Sequence, residues 1–106
     1  MRNFRDLEVW NLSRGLVKEI YFLMKTMPDE EKFGLTSQIK RSAISIPSNI
    51  AEGCAKKSNK DFSRFLEISL GSCYELETQL ILCSDVELIK EDIIEEKTIL
   101  LQTLEK

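Results

Sequence analysis

Three observations predict an all-α fold, an antiparallel up-down-up-down four-helix bundle whose second helix is kinked by a proline. Apolar residues recur at three- and four-residue spacing in four successive segments. Connections of only a few residues join the segments, which sets chain neighbours side by side and antiparallel. Pro47 stands inside the second segment, yet the apolar stripe passes through it in register. No alternating strand pattern, internal repeat or low-complexity stretch competes.

The first helix is predicted over Leu7 to Met27. Val9, Leu12, Leu16, Ile20, Leu23 and Met27 form one line, and Trp10, Val17, Tyr21 and Met24 flank it. So wide an arc predicts a helix covered on more than one side, either by its own bundle or by a neighbouring subunit. Pro28 ends it, and Asp29, Glu30 and Glu31 mark a solvated connection or a short first turn.

The second helix opens after Gly34 and lines up Leu35, Ile39, Ala43, Ile46, Ile50 and Cys54. Proline has no N–H for the carbonyl of Ala43, a loss of ~3 kcal/mol in a helix interior. A helix restarting at Pro47 would take Ile46 as its N-cap, a poor residue for that position. One kinked helix is therefore expected, with Ser42 and Ser45 hydrogen-bonding carbonyls near the bend. Within the run Ser45–Gly53, Asn49 and Glu52 are expected to tie the bend to a neighbouring helix.

Residues 55–60 form a short basic turn, and Ser58 with Asp61 three positions on predicts a third helix starting near Asn59. Its seam, Phe62, Leu66, Ser69, Cys73, Leu76, Leu80 and Cys83, alternates steps of four and three as antiparallel bundles do. Ser69, Gly71, Ser72 and Cys73 are small, so another helix can approach closely there, at the level of Pro47. The fourth helix is predicted over Ile89 to Leu104, with Ile89, Ile93, Leu100 and Leu104 on one face and Ile94 and Leu101 widening it. Its start is open between a cap at Ser84 with Glu87 and a loop through Val86–Leu88.

With 106 residues the chain is expected to be a single domain, 1–106. No stretch approaches the ~18 apolar residues of a membrane span, and residues 1–6 lack an apolar signal core, so a cytoplasmic protein is expected. Cys54, Cys73 and Cys83 make no CxxC pair and read as buried thiols. The absence of histidine removes the usual general base and transition-metal ligand. Glu52, Glu67, Glu75 and Glu77 raise an all-carboxylate magnesium site, but glutamates on bundle helices are ordinarily solvated. With no phosphate-cradling glycine loop or nucleophile elbow either, no enzyme, cofactor or metal is expected.

The net charge of −3 is unevenly spread. Residues 36–64 hold six basic side chains against two acidic, a net +4, and residues 85–106 hold seven acidic against three basic, a net −4. The first set, Lys40, Arg41, Lys56, Lys57, Lys60 and Arg64, is the candidate phosphate-contacting surface. Trp10, Phe62 and Phe65 would stack bases if exposed, but at helical spacing beside leucines they read as core or interface.

Phe4-Arg5-Asp6-Leu7-Glu8-Val9-Trp10, Gln38-Ile39-Lys40-Arg41-Ser42-Ala43 and Ser45-Ile46-Pro47-Ser48-Asn49-Ile50-Ala51-Glu52-Gly53 follow one another along the chain. Phe65-Leu66 and Gly71-Ser72-Cys73-Tyr74-Glu75-Leu76-Glu77-Thr78-Gln79-Leu80 come after them. Together they resemble the bacterial four-helix-bundle proteins encoded in the intervening sequences of 23S rRNA genes, and are similar to the accessory variability proteins of diversity-generating retroelements. The resemblance implies a homopentamer and no enzymatic activity. In the retroelement branch it also implies a basic surface that binds RNA or DNA and a reverse transcriptase. It marks Pro47, Asn49, Glu52, Gly53, Gly71 and Glu75 as the structural motif. The wide apolar arcs agree with an oligomer. The expected function is sequence-independent nucleic-acid binding by the basic set, with a protein-interaction scaffold presenting the acidic fourth helix as the alternative.

Overall fold

The computed structural model describes residues 2–105. Four helices follow one another, α1 (Glu8–Met24), α2 (Leu35–Cys54), α3 (Asn59–Asp85) and α4 (Glu91–Glu105), with 3₁₀ turns at Phe4–Asp6 and Asp29–Glu31. Among the described residues there is no strand, and no helix is long and apolar enough to cross a membrane. Each helix packs on its chain neighbours and α4 closes on α1, whereas the diagonal pairs do not meet. The result is the predicted four-helix bundle, a rod of 44 × 25 × 19 Å.

Its core joins all four helices: Leu16 and Ile20 from α1, Ile39, Ala43, Ile46 and Ile50 from α2, Cys73, Leu76 and Leu80 from α3, and Ile94 and Leu101 from α4. Helix lengths govern how far this core extends. At ~1.5 Å per residue α3 spans roughly 40 Å and α4 about 22 Å. The α3 seam is accordingly buried from Ser69 to Cys83, while Phe62 and Leu66, nearer its start, are half-buried.

Helix α2 runs unbroken through Pro47, as the register argument requires. Polar contacts beside it differ from the expectation. Ser42 Oγ donates to Glu75 Oε1 at 2.6 Å, and Ser45 Oγ meets Ser72 Oγ at 2.8 Å, so both reach across to α3 rather than to carbonyls of α2. The carbonyl next to the proline that is bonded from outside is that of Ile46, from Ser69 Oγ at 3.0 Å. Asn49 Nδ2 donates to the carbonyl and hydroxyl of Ser45, both at 2.8 Å, and so acts within α2. Glu52 is exposed and forms no side-chain hydrogen bond among the described residues.

The close approach of α2 and α3 is made by Gly53 and not by Gly71. A Cβ on Gly53 would lie 2.8 Å from Cβ of Phe65, whereas one on Gly71 would meet nothing within 4 Å. Helix ends follow local chemistry. Ser58 Oγ accepts from the N–H of Asp61 at 3.1 Å and caps α3, as expected. Helix α3 continues past Ser84 to Asp85, and the loop alternative holds at 86–90. Glu87 takes a left-handed φ of 63° there. The N–H groups of Glu87 and Leu88 bond the carbonyls of Ser84 and Cys83 at 3.0 and 2.8 Å, the Schellman closure.

The buried stripe of α4 is Ile94, Lys97 and Leu101, with Ile93 and Leu104 half-buried and Leu100 exposed. It is turned from the predicted face because a lysine occupies its centre. Lys97 Nζ reaches Glu19 Oε2 on α1 at 3.1 Å, which lets its stem pack inside.

Candidate nucleic-acid interface

Gly53 shapes one end of the bundle. Because it has no side chain, the first turns of α3 lie against the end of α2, with Phe65 and Phe62 on its α-carbon. These two rings carry cations. The Lys56 ammonium sits 5.0 Å from the Phe65 centroid, and the Arg2 guanidinium 4.0 Å from that of Phe62. Arg2 also donates to the carbonyl of Lys56 at 3.4 Å and to Oδ1 of Asn59, so the residues before α1 are held against the α2–α3 turn.

Lys57 lines a cavity with Arg2 and Lys56, and it is exposed, as are Lys60 and Arg64 on the first turns of α3. Lys60 and Arg64 are four residues apart on α3 and share a face. Among the described residues none of these five cations is in a salt bridge, since both ion pairs belong to Lys97. Cys54 lies buried at the same end. Burial raises its thiol above its ordinary value, against the opposing pull of the Arg2 charge.

Of the six predicted basic residues, Lys56 and Lys57 line one cavity with Arg2, Lys60 and Arg64 are exposed on the first turns of α3 at the same end, and the other two lie elsewhere. Lys40 and Arg41 lie roughly 24 Å from Lys56 along the axis of α2, at ~1.5 Å per residue. That exceeds the ~8–10 Å over which exposed charges act through salt solution. Lys40 instead covers the ring of Tyr21 on α1, 4.9 Å from its centroid. Arg2 was not foreseen, because nothing in its spacing connects it with Lys56 or Phe62.

The aromatic residues sit between core and surface. Trp10, Phe62 and Phe65 are half-buried. Trp10 packs edge-on to Phe4 at 4.9 Å and lies beneath Arg14 at 5.6 Å. With cations over these rings, the surface offered to a ligand is ammonium and guanidinium rather than bare π-face. Phosphate oxygens suit such donors, Arg as a planar fork and Lys as a point charge.

The predicted structural residues divide in two. Gly53 and Glu75 are engaged in the α2–α3 seam, Asn49 bonds Ser45 within α2, Pro47 lies beside Trp10 and Val17 of α1, and Glu52 and Gly71 are exposed. Among the described residues no group of three or more histidine, cysteine or acidic side chains is placed to hold a metal ion.

A family model described as 23S rRNA-intervening sequence protein matches residues 5–106. The fold is similar to the crystal structure of a protein of unknown function from the S23 ribosomal protein family of Bacteroides thetaiotaomicron VPI-5482. The two chains are 31% identical with a TM-score of 0.84, over 92% of this chain and 91% of the other. Comparison with curated proteins gives no match.

Proposed function

The chain belongs to the 23S rRNA-intervening sequence protein family, and from that premise we propose that it is a non-enzymatic, homo-oligomeric module that binds RNA or DNA without sequence preference. The observation that carries the proposal is that Arg2, Lys56 and Lys57 line one cavity at the α2–α3 end of the bundle, with Lys60 and Arg64 exposed on the first turns of α3, all free of ion pairs among the described residues. Cations grouped in this way neutralise phosphates and release counterions, which gives affinity without base readout. An acidic chain can bind in this manner because the local patch, not the net charge, meets the polyanion.

Fluorescence anisotropy with structured RNA and with duplex DNA at low salt tests it. Binding that weakens log-linearly as salt rises is expected. An affinity no better than millimolar, or one indifferent to salt, overturns it.

The homo-oligomer, five subunits by the family resemblance, is supported by large apolar side chains left in solvent, among them Phe22, Ile44, Ile81, Ile99 and Leu100. Light scattering at micromolar concentration is expected to give a multiple of the chain mass. A second reading, a protein-interaction scaffold, is favoured by the exposed acids along α4. Recovery of a protein partner after nuclease treatment, with no salt-dependent nucleic-acid binding, would select it.

A further inference from the structure

Two cavities meet at the α2–α3 end of the bundle, and they differ in character. The first, about 540 Å³, is lined by Arg2, Lys56 and Lys57 with Ala55. The second, about 370 Å³, is walled by Phe4, Ala51, Cys54 and Ala55, with Arg2 and Arg5 beside them. Arg2 and Ala55 line both, so the cavities adjoin, and among the described residues no acid lines either one. The walls of the apolar cavity are set before any ligand arrives. Phe4 packs edge-on to Trp10 at 4.9 Å and carries the Arg5 guanidinium 4.5 Å from its centroid. Asn3 Oδ1 accepts from the N–H of Arg5 at 3.1 Å, which fixes the turn that presents both side chains. Arg2 donates to the carbonyl of Lys56 and to Asn59, leaving further N–H groups of its guanidinium for a ligand.

We propose that the adjoining cavities hold one nucleotide of a single strand, its phosphate at Arg2, Lys56 and Lys57 and its base in the cavity of Phe4, Ala51 and Cys54. The chemistry of each half selects its part of the ligand. A phosphate is met by clustered N–H donors, whereas a base has a flat face that buries against apolar walls and stacks on guanidinium. A nucleotide joins the two parts through one sugar, and the cavities join through Arg2 and Ala55. Apolar walls accept any base, which keeps binding independent of sequence. A base in a duplex is paired and stacked and must be extruded to enter, whereas one in a loop or at a strand end is already free. The inference rests on the nucleic-acid reading above and adds to it the strandedness of the ligand and the place of one base.

Fluorescence anisotropy tests it with two pairs of probes. The first pair is a labelled oligothymidylate and the same strand made abasic throughout; the second is a blunt duplex and a duplex of equal phosphate count that ends in unpaired thymidines. The native chain is expected to bind the oligothymidylate about tenfold more tightly than the abasic strand, as for one base held on such a surface, and to prefer the overhang to the blunt end. Ala51→Leu fills the apolar cavity and leaves every cation in place. It is expected to bring the first ratio to unity with the salt slope unchanged. Ala55→Leu, at an exposed position, is expected to do the same and stands in should Ala51→Leu lose its helical circular dichroism. Equal affinity for the oligothymidylate and the abasic strand, or a preference that survives both substitutions, overturns the base cavity and, where affinity still falls with salt, leaves phosphate binding standing. A chain that binds none of the probes in a salt-dependent manner overturns both.

Discussion

Gly53 and the buried cysteines show how single atoms set this fold. A methyl group at Gly53 would fall 2.8 Å from Cβ of Phe65, an atom fixed to the α3 backbone, and in ordinary contact with the Phe62 carbonyl at 3.5 Å. The Phe65 Cβ cannot turn aside, so α3 must shift. Gly53→Ala is expected to destabilise the chain by about 1–3 kcal/mol, the usual range for overpacking, as read by urea unfolding. Cys73 and Cys83 give a prediction in pH. Burial first, then nearby carboxylates, pushes both thiols up to about 11 from an ordinary 9.0: Glu105 and Glu77 act on Cys73, Glu31 on Cys83. The fold therefore holds the neutral thiols more firmly than the unfolded chain does. Their contribution is complete below pH 9.0 and is lost as pH rises towards about 11. The urea midpoint of the native chain is expected to fall across that interval. In a chain with both cysteines changed to alanine the fall should be shallower, and equal slopes would exclude this cause. Pairings of the kind made by Ser42 with Glu75 were not legible in the sequence. They depend on which turn of α3 faces which turn of α2, and spacing within either helix carries no such information.

Helix starts were legible where a side chain caps them, and helix ends were not where the usual residue is missing. Ser58 announced α3 because its hydroxyl satisfies an otherwise unbonded N–H. The end of α3 gave no such signal. A Schellman closure places its left-handed residue at Glu87, where glycine is customary. With glutamate there the chain reads as continuing helix, and the start of α4 is displaced in the reading by two residues. That substitution leaves a removable strain, since an L-residue in the left-handed region is disfavoured by roughly 1–2 kcal/mol. Glycine relieves it but loses more backbone freedom on folding, at about 0.5–1 kcal/mol. Glu87→Gly is expected to stabilise the bundle by about 0.5–1 kcal/mol net, seen as a higher urea midpoint with unchanged slope. The α4 stripe was misread for a different reason. Lys97 is buried through its bond to Glu19, and the partner that permits burial lies 78 residues away in sequence.

For the whole molecule, four periodic segments and short connections were enough to read the bundle and the adjacency of its helices. The distribution of charge over its surface was less legible, because a helix converts separation along the chain into distance. Along the chain Lys40 and Arg41 belong with Lys56, Lys57, Lys60 and Arg64 to one basic segment, but a helix holds the two groups roughly 24 Å apart, at ~1.5 Å per residue. Lys56 and Lys57 share a cavity with Arg2, with Lys56 on the Phe65 ring and Arg2 on that of Phe62, and Lys60 and Arg64 follow on the first turns of α3. The difference is measurable in the salt dependence of binding. Each phosphate contact on duplex DNA contributes about −0.9 to the slope of log affinity against log salt. Lys57→Ala with Lys60→Ala is expected to flatten that slope by close to two contacts, or about 1.8, and to weaken binding on every sequence alike. Arg41→Ala is expected to leave the slope unchanged. Equal flattening by both changes would mean that the polyanion runs along the full length of α2. In that case the binding surface is the side of the bundle rather than its end.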